Sequence, residues 1–128
     1  MKRLLSILQF VLGFYFLGFG ISHFVLPAGL PEPMGWMYEL SPTLHWFSGT
    51  AEILAGLALL VLPFVGRFLN LVPLAAAGLV LLMIGAMVWH FDRGETANVF
   101  QNLITAGVVG FLAYGRWKLH PLEEKASS

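Results

Sequence analysis

Glu52 is the residue of this 128-residue sequence whose setting most strongly indicates chemistry, because it stands within a long apolar run. An ionisable side chain in the middle of a bilayer costs about 2.5–3.5 kcal/mol and usually marks a functional site. Glu52 shares one helical stripe with residues three, four or seven positions away, namely His45, Ser48, Gly49 and Gly56. We therefore expect the carboxyl to face neighbouring helices and to keep its proton unless a cation or several donors meet it. The alternative is a neutral carboxyl that only bonds an adjacent helix.

Polar side chains on the other apolar segments are expected to reach the level of Glu52. His23, near the end of the first segment, either joins a polar pocket or reaches the membrane surface. His90 and His45 are favoured as interfacial histidines, with a pocket role as the alternative. The fourth segment carries a polar stripe of Asn98, Gln101, Asn102 and Thr105. These three histidines, the stripe and Glu52 are the predicted ligand-binding residues of one convergent pocket, closed on one side by apolar residues.

A metal site is the less favoured use of these groups. Two histidines and Glu52 would suit a two-His-one-carboxylate centre. No pair of them stands three or four positions apart, as on a metal-binding helix. We therefore predict no metal. The sequence also has no cysteine, which removes thiolate ligands, iron–sulfur clusters and CxxC redox chemistry. Any redox role would need a bound ligand or a partner protein.

The composition indicates that most of the chain lies in lipid. Hydrophobic residues make up 58% of the sequence and charged residues 11%, whereas a soluble domain is about 25% charged. So few charges cannot cover the surface of a small soluble domain. High hydrophobicity excludes disorder, and a net charge of zero gives no basis for binding nucleic acid.

Four apolar segments are long enough to cross a bilayer, which takes about 20 residues each. We predict spans at about 4–26, 42–62, 70–91 and 96–114, an outer loop at 27–41 with a short interfacial segment, and a disordered tail at 121–128. Ser41 and Pro42 form a helix start, Pro63 is expected to end the second span, and Gly115 is expected to be a left-handed cap. The predicted fold is all-α: a single-domain, integral membrane four-helix bundle with antiparallel, up-down topology.

Basic residues orient the bundle, because they favour the cytoplasmic side. With four spans, one side holds six of the seven Lys and Arg: Lys2, Arg3, Arg67, Arg116, Lys118 and Lys125. Arg93 stands on the other side. We therefore predict that both termini are cytoplasmic. The expected outer aromatic belt consists of Trp36, Tyr38, Trp46 and Trp89.

Glycines seven residues apart on three spans predict close helix packing. The pairs are Gly13 and Gly20, Gly49 and Gly56, and Gly78 and Gly85. Seven residues return to nearly the same face of a helix, and helices in lipid associate through small residues that let backbones approach. The alternative is that glycine is simply common in membrane helices.

Three stretches of the chain resemble the DoxX-like membrane proteins. They are Gly20-Ile-Ser-His-Phe, Gly49-Thr-Ala-Glu-Ile-Leu-Ala-Gly, and Met83-Ile-Gly-Ala leading to His90. The resemblance covers about residues 4–115 and carries over His23, Gly49, Glu52, Gly56 and His90 as motif positions, without a catalytic role. It implies a bacterial inner-membrane four-helix bundle. It also implies links to thiosulfate:quinone oxidoreductases, to thiol and oxidative-stress systems and, among eukaryotic relatives, to receptor assembly.

The expected function is to bind a quinone or another lipid with a polar head in the outer half of the membrane, as an accessory to a redox or oxidative-stress system. The expected partners are membrane lipid, a quinone, a membrane protein and further copies of the chain, with no nucleic acid and no covalently bound cofactor. Turnover by this chain itself is less expected than an accessory role. The alternative function is a non-catalytic assembly or partner-binding module.

Overall fold

The computed structural model describes residues 1–124, and within this range every regular element is helical. The α-helices are α1 (Lys2–Phe24), α2 (Pro42–Val65), α3 (Leu71–Asp92) and α4 (Thr96–Tyr114). A 3-10 helix (Glu32–Tyr38) precedes α2, and a π-helical segment (Gly115–Leu119) continues α4. The four α-helical spans are long and apolar enough to cross a membrane. The predicted all-α fold with four long apolar helices is therefore confirmed. The predicted tail at 121–128 lies partly outside the described residues.

Helix α2 begins as predicted and ends later than predicted. The Ser41 hydroxyl accepts a hydrogen bond from Leu44 N at 3.2 Å, which caps the first turn. The prediction that Pro63 ends the span is wrong, because the helix passes through it to Val65 and ends at Gly66, whose φ of 73° is left-handed.

Gln9 explains why α2 tolerates Pro63. Proline has no N–H, so the carbonyl four residues earlier, that of Leu59, loses its usual helical donor. The Gln9 amide on α1 donates to this oxygen at 2.8 Å. A side chain from a neighbouring helix thus supplies the missing hydrogen bond, and the last turn of α2 persists.

The same glutamine joins α1 to the end of α4. The Gln9 Oε1 atom accepts a hydrogen bond from Arg116 Nε at 2.7 Å, and Arg116 also donates to Ser6 and to the His120 carbonyl. Both side chains are buried, Gln9 at 1% exposure and Arg116 at 6%. Gly115 is not the predicted left-handed cap: its φ is −60°, and a Cβ there would lie 2.5 Å from Leu5 Cδ2. This glycine is needed for close packing.

Glycines on α1 and α2 let the two backbones touch. A Cβ on Gly20 would lie 2.8 Å from Ile53 N and 3.0 Å from Gly49 O. A Cβ on Gly56 would lie 2.9 Å from Gly13 O. Real Cβ atoms do not approach other atoms this closely without displacing them. The packing prediction therefore holds for these four glycines, and it makes α1 and α2 an antiparallel pair.

Gly78 and Gly85 on α3 do not pack in this way. A Cβ at either position would meet no atom within 4 Å. The prediction of close packing from the seven-residue spacing is wrong for these two glycines. The spacing indicates that they share a helix face, but it does not indicate what lies against that face. Both glycines instead border a cavity.

The apolar core and the cavity occupy opposite halves of the bundle. We call the end with the 3-10 helix the capped end, and the end where Leu5 packs on Gly115 the termini end. The largest fully buried apolar side chains include Phe16, Leu59, Leu79 and Leu112. Leu59, Leu79 and Leu112 lie toward the termini end, whereas Phe16 borders the cavity, which lies toward the capped end.

Replacing Gly20 with alanine is expected to destabilise the bundle by about 1–3 kcal/mol, because the new Cβ meets backbone atoms that cannot move aside cheaply. Gly78→Ala is the matched control and should leave stability unchanged or raise it, since alanine favours helix by about 1 kcal/mol. Thermal unfolding in detergent measures both. Equal effects of the two substitutions would contradict the close approach of α1 and α2.

Replacing Gln9 with leucine is expected to cost about 1–3 kcal/mol for each group left without its partner, namely the Leu59 carbonyl and the Arg116 Nε. Pro63→Ala restores a backbone N–H for that carbonyl, so Gln9→Leu should cost less in the Pro63→Ala background. A double-mutant cycle measured by unfolding tests this coupling. Strictly additive effects would rule it out.

Candidate functional site

A cavity of about 520 Å³ lies between the helices at the capped end. Its walls are mostly apolar and aromatic, and include Phe16, Phe19, Phe47, Leu82 and Met83. Six of the eight predicted ligand-binding residues contribute to its polar part: Glu52, His23, His90, Asn98, Gln101 and Asn102. An apolar cavity with a few convergent polar groups is the usual form of a small-molecule site.

Glu52 is the buried acid of this cavity. The glycine contacts of α1 and α2 turn its stripe inward, so the residue is only 6% exposed. Within the described part of the chain, its Oε2 atom is buried and accepts no hydrogen bond. The nearest cationic candidate is His23, whose Nε2 lies 3.6 Å from Oε2, beyond hydrogen-bond range. The site therefore contains a carboxyl oxygen whose bonding capacity the protein leaves unused.

His45 contacts His23 through the ring nitrogen of His23 that does not face Glu52. The two Nδ1 atoms are 2.8 Å apart, and His45 Nε2 lies 2.8 Å from the carbonyl oxygen of Met37 in the 3-10 helix. His45 is one of the predicted ligand-binding residues, but it does not line the cavity. It reaches the site through His23 instead.

His90 is inside the bundle and not at the interface where the sequence favoured it. It is 1% exposed, and its Nδ1 lies 3.0 Å from Glu95 Oε1 in the loop between α3 and α4. The indole of Trp36 meets the His90 ring edge-on, with centroids 4.9 Å apart. Aromatic packing with the 3-10 helix thus covers a histidine that its position in the sequence would leave near water.

The 3-10 helix closes the capped end of the cavity. Met34 and Trp36 of this helix border the cavity, and so does Leu40 just after it. An ion pair between Glu39 and Arg93 ties the segment to the α3–α4 loop. Trp36 and Trp89, predicted for an aromatic belt, therefore belong to the cavity wall. Sequence periodicity missed this, since a 3-10 helix preceded by several prolines carries no amphipathic pattern that places its side chains.

The α4 stripe divides between the cavity and its edge. Asn98, Gln101 and Asn102 border the cavity, whereas Thr105 does not and its hydroxyl donates to the Gln101 carbonyl at 2.9 Å. Thr105, a predicted ligand-binding residue, therefore lies outside the cavity lining. Its side chain and that of Gln101 face the Tyr15 hydroxyl across the gap between α1 and α4. Thr105 can orient Tyr15 but does not reach the space where a ligand would lie.

The cavity reaches the flanks of the bundle. Tyr15, which borders it between α1 and α4, is 37% exposed, and Gln101 beside it is exposed as well. Phe47 and Leu81 are likewise exposed and border it between α2 and α3. A molecule dissolved in the lipid could therefore meet the cavity from the side.

The sequence of this four-helix chain matches a known protein family. The model of the DoxX-like family matches residues 7–115, which is most of the chain. The chain belongs to the DoxX-like family. No curated protein and no solved structure matches it.

The site of this DoxX-like protein can bind a polar head group and an apolar body at once. Carboxyl, imidazole and amide groups offer hydrogen bonds at one part of the cavity, and aromatic rings offer dispersion contact over the rest. Among the described residues, no group of three or more His, Cys, Asp or Glu side chains could hold a metal ion.

Acid should loosen the loop that holds His90. Slight desolvation raises the pKa of Glu95, but hydrogen bonds from Arg93 and His90 outweigh it and keep the pKa below its usual value near 4.5. A carboxyl with a lowered folded-state pKa stabilises the protein above the unfolded value and loses that effect as the pH falls through the folded value. Below about pH 4.5, the unfolding temperature of the wild type should therefore fall more steeply than that of Glu95→Gln.

Thermal unfolding from pH 6 to pH 3 measures this difference. Glu32→Gln, an exposed glutamate at the same end, is the matched control and should follow the wild type. Parallel curves for the wild type and Glu95→Gln would show that the loop contacts contribute nothing.

Proposed function

We propose that this DoxX-like protein binds a quinone or another lipid with a polar head group in the cavity at its capped end, as an accessory to a membrane redox or oxidative-stress system. The observation that carries the proposal is Glu52, a buried carboxyl without a hydrogen-bond donor among the described residues, at the wall of an apolar cavity. Leaving such a group unsatisfied costs about 1–3 kcal/mol. A ligand that bonds it would remove that cost.

The size and openness of the cavity support a lipid-like ligand. A volume of about 520 Å³ falls within the range of about 300–1,000 Å³ that small-molecule pockets occupy. The exposed lining residues on the flanks, Tyr15 and Phe47 among them, allow an apolar tail to extend into the bilayer. A water-soluble metabolite would gain nothing from this route.

The residue types of the chain support an accessory role. The sequence has no cysteine, and the described residues contain no metal-binding group. Electrons would therefore be carried by the bound molecule and by a partner protein, while this chain binds and orients the head group.

We further propose a bacterial inner membrane as the location, with both termini in the cytoplasm. The basic residues at the termini end support this orientation. The capped end, which holds Arg93 and several acids, would then face outward, and the cavity would lie in the outer half of the membrane.

The alternative, an assembly or partner-binding module, would use Glu52 to bond a neighbouring helix. The lack of a donor to Glu52 Oε2 among the described residues counts against that use. Gln9 and Arg116 already join the helices at the termini end. Ligand binding is therefore the better supported function.

Mass spectrometry of the protein purified in mild detergent tests this proposal. We expect a co-purifying quinone or other amphiphile, and a higher unfolding temperature on adding ubiquinone or menaquinone analogues. In Glu52→Leu the bundle should stay folded, while the bound molecule and the thermal shift are lost. Thr50→Ala, a polar residue of α2 outside the cavity lining, is the matched control and should keep both. Absence of any amphiphile and of any shift in the wild type would sink the proposal.

A further inference from the structure

The hydrogen bonds that join Met37, His45 and His23 fix which nitrogen of His23 carries a proton. The Met37 carbonyl can only accept, so the His45 Nε2 atom 2.8 Å away must donate to it. A neutral imidazole has one donor and one acceptor nitrogen, so His45 Nδ1 accepts. The partner of that atom, His23 Nδ1 at 2.8 Å, must then be the donor. With both rings neutral, His23 Nε2 therefore carries a lone pair and no proton.

This assignment leaves Glu52 without a donor. His23 Nε2 faces Glu52 Oε2 at 3.6 Å, but as an acceptor it cannot bond an ionised carboxylate. If the carboxyl is protonated, its O–H turns toward His23 and its other oxygen remains an acceptor. In either state, Glu52 offers the cavity an oxygen that accepts a hydrogen bond.

The position of the proton on His90, near the end of α3, is fixed in the same way. Its Nδ1 lies 3.0 Å from the Glu95 carboxylate, which can only accept, so Nδ1 carries the proton. The neutral ring keeps its lone pair on Nε2. Both histidines of the cavity are thus fixed by acceptors at the capped end, and both are acceptors at their other nitrogen.

The remaining polar groups of the cavity can bond a hydroxyl oxygen. The side-chain amides of Asn98 and Gln101 border the cavity from α4 and carry N–H donors. The described residues that line the cavity include no Lys and no Arg. A hydroxyl can donate to Glu52 and accept from an amide N–H, and an ammonium can donate both to Glu52 and to an amide oxygen. A carbonyl or an ether oxygen has no hydrogen to donate to Glu52.

We propose that the head group of the ligand carries a hydrogen-bond donor, either a hydroxyl or an ammonium, and that this group donates to Glu52. His45 is a positioning residue, because its hydrogen bond to His23 keeps His23 from donating to Glu52. This inference rests on the proposed function and narrows its ligand class. For a quinone-type head group, the form that carries hydroxyls is the reduced one.

Redox-inert probes with one apolar tail test the proposal. They are 4-nonylphenol, its methyl ether 4-nonylanisole, and 4-nonylbenzylamine, and their affinities are measured on the full chain in lipid nanodiscs. The wild type is expected to bind the phenol or the amine about tenfold more tightly than the ether, as a hydrogen bond to a carboxyl implies. The stronger of the two donors identifies hydroxyl or ammonium as the ligand chemistry. Membrane partitioning of each probe is measured on nanodiscs without protein and subtracted, and the remaining donor preference should vanish in Glu52→Leu.

The experiment distinguishes a failure of the proposed function from a failure of this inference alone. If no probe binds, the proposed function is wrong and this inference falls with it. If the probes bind but the ether binds as tightly as both donors, the cavity takes an amphiphile and the inference alone is overturned. A donor preference that persists in Glu52→Leu would also overturn it, because another group would then be the acceptor.

His45→Phe tests the positioning role by a signature that packing alone does not change. Nitrogen-15 NMR of His23 should show a protonated Nδ1 and a bare Nε2 in the wild type. In His45→Phe the proton should move to Nε2, where it can bond Glu52, and the donor preference should fall about threefold or more. His120→Phe, at the termini end, is the matched control. An unchanged His23 spectrum in His45→Phe would overturn the role of His45.

Discussion

The backbone contact between α1 and α2 is the constraint on which the rest of the structure depends. Lipid provides no hydrophobic force between helices, so packing must come from direct approach, and here Gly20 and Gly49 allow it. A Cβ on Gly49 would lie 2.8 Å from His23 Cβ. The same contact that joins the helices thus places His23 beside the α2 stripe, and the stripe turns Glu52 inward. Without these glycines the helices would separate, and the acid and the histidine would no longer face each other.

The termini end solves a related problem with polar side chains. Pro63 leaves the Leu59 carbonyl without its helical donor, and Gln9 supplies one while its own oxygen binds Arg116. A buried guanidinium is costly unless its N–H groups are bonded, and here three of them have acceptors. The glutamine therefore satisfies a carbonyl on one helix and a cation on another. This end of the bundle is held by polar contacts as well as by its apolar core.

The sequence predicted the elements and much of the site because both depend on local patterns. Apolar length predicts the spans, and Glu52 stands out against any apolar run. The contacts between segments could not be predicted from these local patterns. The bond of His45 to His23 depends on where the 3-10 helix carries Met37 O, and the burial of His90 depends on Trp36 from that segment. The prediction that Pro63 ends α2 failed because the side chain of Gln9, a residue 54 positions earlier in the chain, replaces the missing backbone donor.

The contrast between the two ends explains why Glu52 is better understood as a binding group than as a folding device. At the termini end, the buried polar side chains Gln9 and Arg116 have their partners within the protein. At the capped end, Glu52 Oε2 is buried and accepts no hydrogen bond among the described residues, and the nearby His23 Nε2 lies 3.6 Å away. His45 and Met37 hold His23 in the form that cannot donate. An arrangement selected only for stability would have reversed that ring or placed leucine at position 52, since an unsatisfied buried acid costs free energy that an apolar residue does not.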